Sequence, residues 1–406
     1  MIDYYETKSQ PITRAMVWQA YRKVRMNKGG AGIDGMTWAE LENNPSAHLD
    51  KLWNRLSSGS YFPAPVKAVA ILKKGGGERI LGIPTLLDRI AQQVVRQHLE
   101  LQLEPLFHDS SFGYRPNRSA HDAVAQSQRN CFNHDFAIDL DIQGFFDNID
   151  HALMLKALSH YCKDRWVLLY VERWLKADIM QGMNKRRRTT GTPQGGVISP
   201  LLANLFLHVV FDKWMEKYHP EKPFERYADD IIVHCKTEKQ AKYLLHLISE
   251  RMKSCKLSLH PQKTQIVNLR GFSSNRYPRK YDFLGFSIRP VMRKVNGRKM
   301  TLPGTFASLK AKKAIRAKFR EMEIHKRRVS LKELAEYLNP VIKGLINYFQ
   351  KFWQAGMRDV WNGLNHRLLK WVKWEKGLYK YASVRWLRQQ YKEAPLLFAH
   401  WKFVQP

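Results

Sequence analysis

Tyr227-Ala228-Asp229-Asp230-Ile231-Ile232-Val233 is a run of strand-forming residues broken by two adjacent carboxylates, and its reading decides the fold. Aromatic and β-branched side chains favour strands, whereas an unpaired carboxylate buried inside one is costly. The two aspartates therefore belong at the tip of a β-hairpin, neutralised by a cation or displayed for a purpose. A second stretch, Phe136-Ala137-Ile138-Asp139-Leu140-Asp141-Ile142, alternates strictly. It sets Phe136, Ile138, Leu140 and Ile142 on one face and Ala137, Asp139 and Asp141 on the other. If these strands are neighbours, Asp141, Asp229 and Asp230 converge as a hard-oxygen site suited to Mg²⁺. Spacing alone leaves a simple turn or cap open for the Asp-Asp pair, and a metal site of unspecified chemistry.

Outward from these strands the pattern is mixed. Residues 11–28 read as a helix, followed by the glycine-bearing loop Asn27 to Gly35. Residues 66–72 and 80–84 read as a hairpin around Gly75-Gly76-Gly77, and 85–104 carry helical periodicity. Helical regions at 152–177 and 200–217 flank a basic loop, Lys185-Arg186-Arg187-Arg188, and another helix covers 238–255. From about residue 305 the pattern is helical and basic. The fold class is α+β, followed by an all-helical basic module.

The 406 residues carry 68 Lys and Arg against 36 Asp and Glu, a formal charge of +32. Residues 270–406 hold 31 of those cations and only 8 of the acids. Such an excess on one third of a folded chain points to a polyanion, with nucleic acid foremost. Six of the 12 tryptophans lie between Trp353 and Trp401, where they serve either as helical core or as surfaces that stack on bases. A hydrophobic fraction of 44% excludes a disordered basic tail. No apolar stretch suffices for a membrane span, and the amino terminus does not read as a signal peptide. Cys131, Cys162, Cys235 and Cys255 are too scattered for a disulfide framework or zinc site, which fits a reducing cytoplasm.

The motifs, taken in order, resemble those of bacterial group II intron reverse transcriptases with a maturase domain. Tyr227-Ala228-Asp229-Asp230 resembles the catalytic hairpin, and Phe136 to His151 the first palm motif. Gly191-Thr192-Pro193-Gln194-Gly195-Gly196 through Asn204 is similar to the template-positioning motif. Phe112 to His121, Tyr281 to Phe286, Leu338-Asn339-Pro340, Asn347-Tyr348-Phe349 and Leu397 to Trp401 are likewise family-like. The resemblance implies a right-hand polymerase whose fingers and palm carry an antiparallel sheet, followed by an all-helical thumb and maturase domain. It places an N-terminal extension contacting template RNA at 1–52 and fingers and palm at 53–288. Thumb and maturase take 289–375, and a basic nucleic-acid-binding segment takes 376–406.

The same resemblance assigns two Mg²⁺ ions to Asp141, Ile142, Asp229 and Asp230, with the three aspartates as catalytic residues. Lys73 and Arg79 would reach the nucleotide phosphates from the fingers, and Phe146 would exclude a ribose 2′-hydroxyl. Gln194 and Gly195 would line the template base and the dNTP, and Lys263 would protonate the leaving pyrophosphate. Arg115, Arg118 and the run Lys185, Arg186, Arg187 and Arg188 would contact phosphates. The implied partners are an RNA template, intron RNA, a DNA primer or target and dNTPs, with no membrane. The implied location is the cytoplasm, associated with the bacterial nucleoid. Gln143 and Leu72 replace residues more usual in the family, and neither change removes a metal ligand. The chain ends at Pro406 without a Cys-pair/His nuclease motif, so an endonuclease-lacking lineage is expected. A splicing-only maturase, or a reverse transcriptase recruited to defence or repair, would carry the same motifs. The oligomeric state is left open.

Overall fold

Three sheets are present among the described residues of the computed structural model, 9–72, 78–269 and 276–406. In the first, β1 (Val66–Leu72) pairs antiparallel with β2 (Glu78–Ile83). On its other edge β1 runs parallel to β3 (Ile179–Gln181), which turns through Gly182 into β4 (Asn184–Arg186). The basic loop is therefore half strand. These strands are only three residues long, too short for an alternation signal.

The second sheet has the order β6-β7-β5-β8, built from β5 (Phe136–Asp141), β6 (Phe224–Tyr227), β7 (Asp230–Cys235) and β8 (Gln265–Asn268). Both stretches that opened the sequence reading thus lie in one sheet. The third comprises β9 (Tyr281–Phe283), β10 (Phe286–Val295) and β11 (Arg298–Ala307). This last hairpin corrects the sequence reading. Position 289 lies inside β10, and the helical module starts only at Leu309. Met292, Met300 and the Lys and Arg residues of its outer half are exposed on both faces, so neither face shows an apolar period.

The chain divides into two compact units. One takes in the described residues as far as Arg118, with Leu140–Val233 and Lys242–Gln265. In it the helix Arg14–Arg25 buries Val17, Ala20, Tyr21 and Val24, an i, i+3, i+4, i+7 face. The following loop packs on the start of the helix Leu86–Leu103. A Cβ on Gly32 would come within 2.6 Å of the Thr85 backbone, so only glycine fits. The helical region 152–177 is two helices, His151–Tyr161 and Arg165–Leu175. Between them Asp164 accepts hydrogen bonds from Gln102 (2.9 Å) and contacts His98 (2.7 Å), a tertiary reason for a break that neither Gly nor Pro announces.

The other unit consists of Ser119–Asp139, His234–Ala241 and Ile266–Pro406. Here the family-like motifs act as clasps. The Tyr348 hydroxyl donates to the Leu284 carbonyl (2.8 Å), its ring stacks on Phe286, and its own carbonyl receives His121 Nε2 (2.8 Å). Asn339 bonds both Leu397 O and Ala399 N at 2.9 Å, tying the Leu-Asn-Pro motif to the closing one. Trp361, Trp371 and Trp401 fill the core, which is where large aromatics contribute most. Trp353 and Trp374 stay exposed under Arg293 and Arg328.

His400 is enclosed in this core with Nε2 2.8 Å from Asn365 Oδ1. Burial drives its pKa down to about 3, whereas an unfolded chain protonates it near 6.5. The unfolded state thus binds the extra proton, and the histidine's contribution is intact above about pH 6.5 and shrinks on acidification. Unfolding titrations should show stability falling between pH 7 and pH 4, on the order of 3 kcal/mol from this group. His400→Gln should flatten that slope.

Candidate active site

Asp141 ends β5, and its backbone is fastened to the 259–264 segment. Its carbonyl accepts the His260 N–H (2.7 Å) and the Thr264 hydroxyl (3.3 Å), while its own N–H donates to Thr264 Oγ1 (3.3 Å). Its half-exposed carboxylate meets Lys263 Nζ at 3.2 and 3.3 Å. Tyr227 pairs with Asp230 across a two-residue turn made of Ala228 and Asp229. Ala228 adopts φ 57°, the left-handed conformation that such tight turns require and that costs a non-glycine residue about 1–2 kcal/mol.

Asp141 and Asp229 line one cavity of about 930 Å³, while Asp230 is the first residue of β7. Among the described residues, no group of three or more His, Cys, Asp or Glu side chains stands at metal-holding spacing. Two carboxylates facing a common space nevertheless form an all-oxygen donor set, the chemistry Mg²⁺ prefers. The Ile142 side chain is buried, so only its main-chain oxygen can join that set.

The rest of the cavity is built by close backbone approaches. The Gly82 N–H of β2 donates to the Gln194 carbonyl (2.9 Å), and a Cβ on Gly195 (φ 128°) would lie 2.7 Å from the Gly82 carbonyl. The Thr192 N–H donates to the Phe146 carbonyl (2.8 Å), which seats the Gly191–Gly195 segment on the helix Phe145–Asn148. Gln194 Nε2 donates to both Asp147 oxygens (3.2 and 3.3 Å). Phe146 lines the cavity at only 7% exposure, edge-on to Phe145. Lys73 lies outside the described residues. Of Arg79 only the backbone is described, paired with Ile71.

The basic residues separate. Arg115 is not available to phosphates: its side chain is buried, its Nε donates to Glu104 (2.9 Å) and its Nη1 to the His108 and Ser111 carbonyls (2.7 Å each). Arg118 turns to Asp109 (2.8 Å) and the Phe112 ring. Lys185 is exposed and paired with Asp178 (2.9 Å), whereas Arg186 and Arg187 are exposed on the cavity rim. Arg188 also lines the cavity but is nine-tenths buried, and desolvation lowers its pKa to about 10 against the pull of Asp147 and Asp178. Asp147, His260 and Thr264 were not singled out in the sequence. Asp147 stands inside the Phe136–His151 motif and was legible there, while the other two carry no pattern.

A carboxylate-bearing sheet beneath a fingers hairpin, with a glycine-rich segment between them, defines a polymerase palm and fingers. Comparison with known proteins specifies the kind. Residues 71–288 match reverse transcriptase (RNA-dependent DNA polymerase), and residues 312–391 match the group II intron maturase-specific domain. The chain belongs to the reverse transcriptase family, in its group II intron branch. It is similar to the group II intron-encoded protein LtrA of Lactococcus lactis subsp. cremoris, 37% identical over 190 residues. That match covers 47% of this chain and 32% of LtrA. Protein YkfC of Escherichia coli (strain K12) is 34% identical over 205 residues, 48% of this chain and 54% of YkfC. An uncharacterized 91 kDa protein in the cob intron of Schizosaccharomyces pombe is 32% identical over 221 residues, 54% of this chain and 27% of its own length. The matched stretches thus span about a quarter to a half of these relatives. Reverse transcriptases as a family use divalent metal ions.

Because the Gly195 and Gly82 backbones touch, Gly195→Ala should displace β2 or the 191–195 segment. The expected cost is about 1–3 kcal/mol, read as a lowered thermal midpoint.

Proposed function

We propose that this chain is an RNA-directed DNA polymerase that extends a primer 3′-hydroxyl with dNTPs on an RNA template, and that it also binds group II intron RNA to assist splicing and mobility. The observation that carries the reading is the cavity that Asp141 and Asp229 line together with Phe146 and Gln194. In the reaction a 3′-oxygen-to-α-phosphorus bond forms, the bond to the β-phosphate bridge breaks, and pyrophosphate leaves. Two Mg²⁺ ions, when bound, would supply Lewis acidity to the attacking and leaving oxygens. Asp141, Asp229, Asp230 and the Ile142 carbonyl are the residues to hold them.

The chain's own side chains would do the rest. Lys263 pairs with Asp141 and is the proton donor for the leaving pyrophosphate. Phe146 closes the sugar side of the cavity, and the Gln194–Asp147 pair fixes an amide edge beside the base pair. By the family resemblance Lys73 and Arg79 would be the triphosphate contacts, lysine as a point charge and arginine as a fork. Arg186, Arg187 and the basic helical region from Leu309 supply the cations that release counterions from RNA and from the hybrid duplex. Such a protein works in the cytoplasm beside the nucleoid.

Primer extension on poly(rA)/oligo(dT) tests the reading. Asp229→Ala should lose about 10³-fold or more in rate, because removing a metal ligand forfeits several kcal/mol of transition-state charge stabilisation. Salt-sensitive RNA binding should survive in the same variant. Equal extension by wild type and variant would sink the assignment.

A further inference from the structure

Arg226 directly precedes the Tyr227-Ala228-Asp229-Asp230 turn, is fully buried, and has no part in the chemistry above. Its guanidinium forks onto Asp212, Nε to Oδ1 at 2.7 Å and Nη2 to Oδ2 at 2.5 Å, and Asp212 is also fully enclosed. Nη1 then donates twice more, to Asn204 Oδ1 (3.0 Å) and to the Ala228 carbonyl (3.2 Å). That last acceptor belongs to the peptide joining Ala228 to Asp229. The guanidinium therefore grips the peptide plane from which the Asp229 side chain departs.

Residues 110–113 also pack against the turn. The Arg226 N–H donates to the Ser110 carbonyl and its carbonyl accepts the Phe112 N–H, both at 2.8 Å. The Asn204 amide donates to the Gly113 carbonyl (2.5 Å). Gly113 lies so close to the turn that a Cβ there would run into the Ala228 nitrogen and come 2.9 Å from the Tyr227 carbonyl carbon. This accounts for the Phe112-Gly113 motif, whose neighbour Arg115 is engaged elsewhere.

Two features separate this from an ordinary stabilising ion pair. A buried pair gains little over well-packed apolar residues of similar volume, so stability alone does not call for one. A strained left-handed residue such as Ala228 also persists only where its surroundings over-determine it, and here the Arg226 guanidinium holds its carbonyl while Gly113 packs against its nitrogen. We propose that Arg226, seated on Asp212 and Asn204, is a positioning residue that sets the direction of the Asp229 carboxylate into the cavity. The inference rests on the reading of Asp229 as a metal ligand.

The test is Mn²⁺ binding to the full chain, followed by electron paramagnetic resonance without primer or nucleotide. Arg226→Lys keeps a charge on Asp212 but lacks the fork that spans to Ala228. The pair Arg226→Met with Asp212→Leu removes both buried charges together, so the fold is retained without the grip. Both should weaken Mn²⁺ binding about 10–100-fold, the usual effect of losing a group that orients a ligand. The Mg²⁺ concentration for half-maximal primer extension should rise in parallel, while RNA/DNA hybrid affinity stays at the wild-type value. Wild-type Mn²⁺ affinity in either folded variant overturns the proposal. Asp229→Ala is the control: if it leaves Mn²⁺ binding intact, the reading of the site fails and takes the proposal with it.

Discussion

The hydrogen bond from the buried Arg226 guanidinium to the Ala228 carbonyl is the contact on which the first unit turns. A two-residue connection between β6 and β7 forces a left-handed residue, and no glycine is there to accept it cheaply. The strain is tolerated because Arg226 and the 110–113 segment leave the peptide no other orientation. Across the sheet, Asp141 is held differently, through its own backbone, by His260 and Thr264. One carboxylate is thus set by a buried charge and the other by loop hydrogen bonds. Both arrive at the same cavity wall without a direct bond between their carboxylates being needed.

Close backbone approach gives that cavity its size. Gly82 against Gly195, and Gly191 against the Phe146 and Asp147 carbonyls, bring a fingers strand and a palm helix to either face of one short segment. A methyl group at these places would add volume where the backbones now touch. Apart from Phe145, Phe146 and a few aliphatic residues the lining is polar and carries both signs, with Arg186, Arg187, Arg188 and Lys263 set against Glu78, Asp141, Asp147 and Asp229. Lys263 shows how the unit tolerates its own acid: an exposed ammonium neutralises Asp141 without the desolvation cost of a buried pair.

The second unit separates stability from charge. Its core tryptophans and the Asn339 and Tyr348 clasps are internal, so the motifs that mark it in sequence are packing motifs. The cations lie on its helices and on the outer half of the β10–β11 hairpin. Arg327 rests over Tyr337 and Arg328 over Trp374, which holds the guanidinium planes in fixed orientations. A surface of that kind binds phosphate by charge and presents flat groups besides.

Period-2 alternation at Phe136–Asp141, and a carboxylate pair interrupting Tyr227–Val233, were enough to announce the sheet, its hairpin and the two cavity-lining aspartates. Both signals are local, arising from which side chains tolerate burial on a pleated strand. The charge excess after residue 270 was equally local. The β10–β11 hairpin escaped because its outer half is largely exposed and shows no apolar period, and the break at Cys162–Asp164 because its cause lies 62 residues away on another helix. Arg115 and Arg118 looked like phosphate ligands, since a cation in a loop reads the same whether its partner is a phosphate or a glutamate. Local propensity and patterning are written along the chain. Which buried arginine grips which peptide, and which cations are already spent, depends on distances between segments far apart in sequence, and only the folded arrangement decides those.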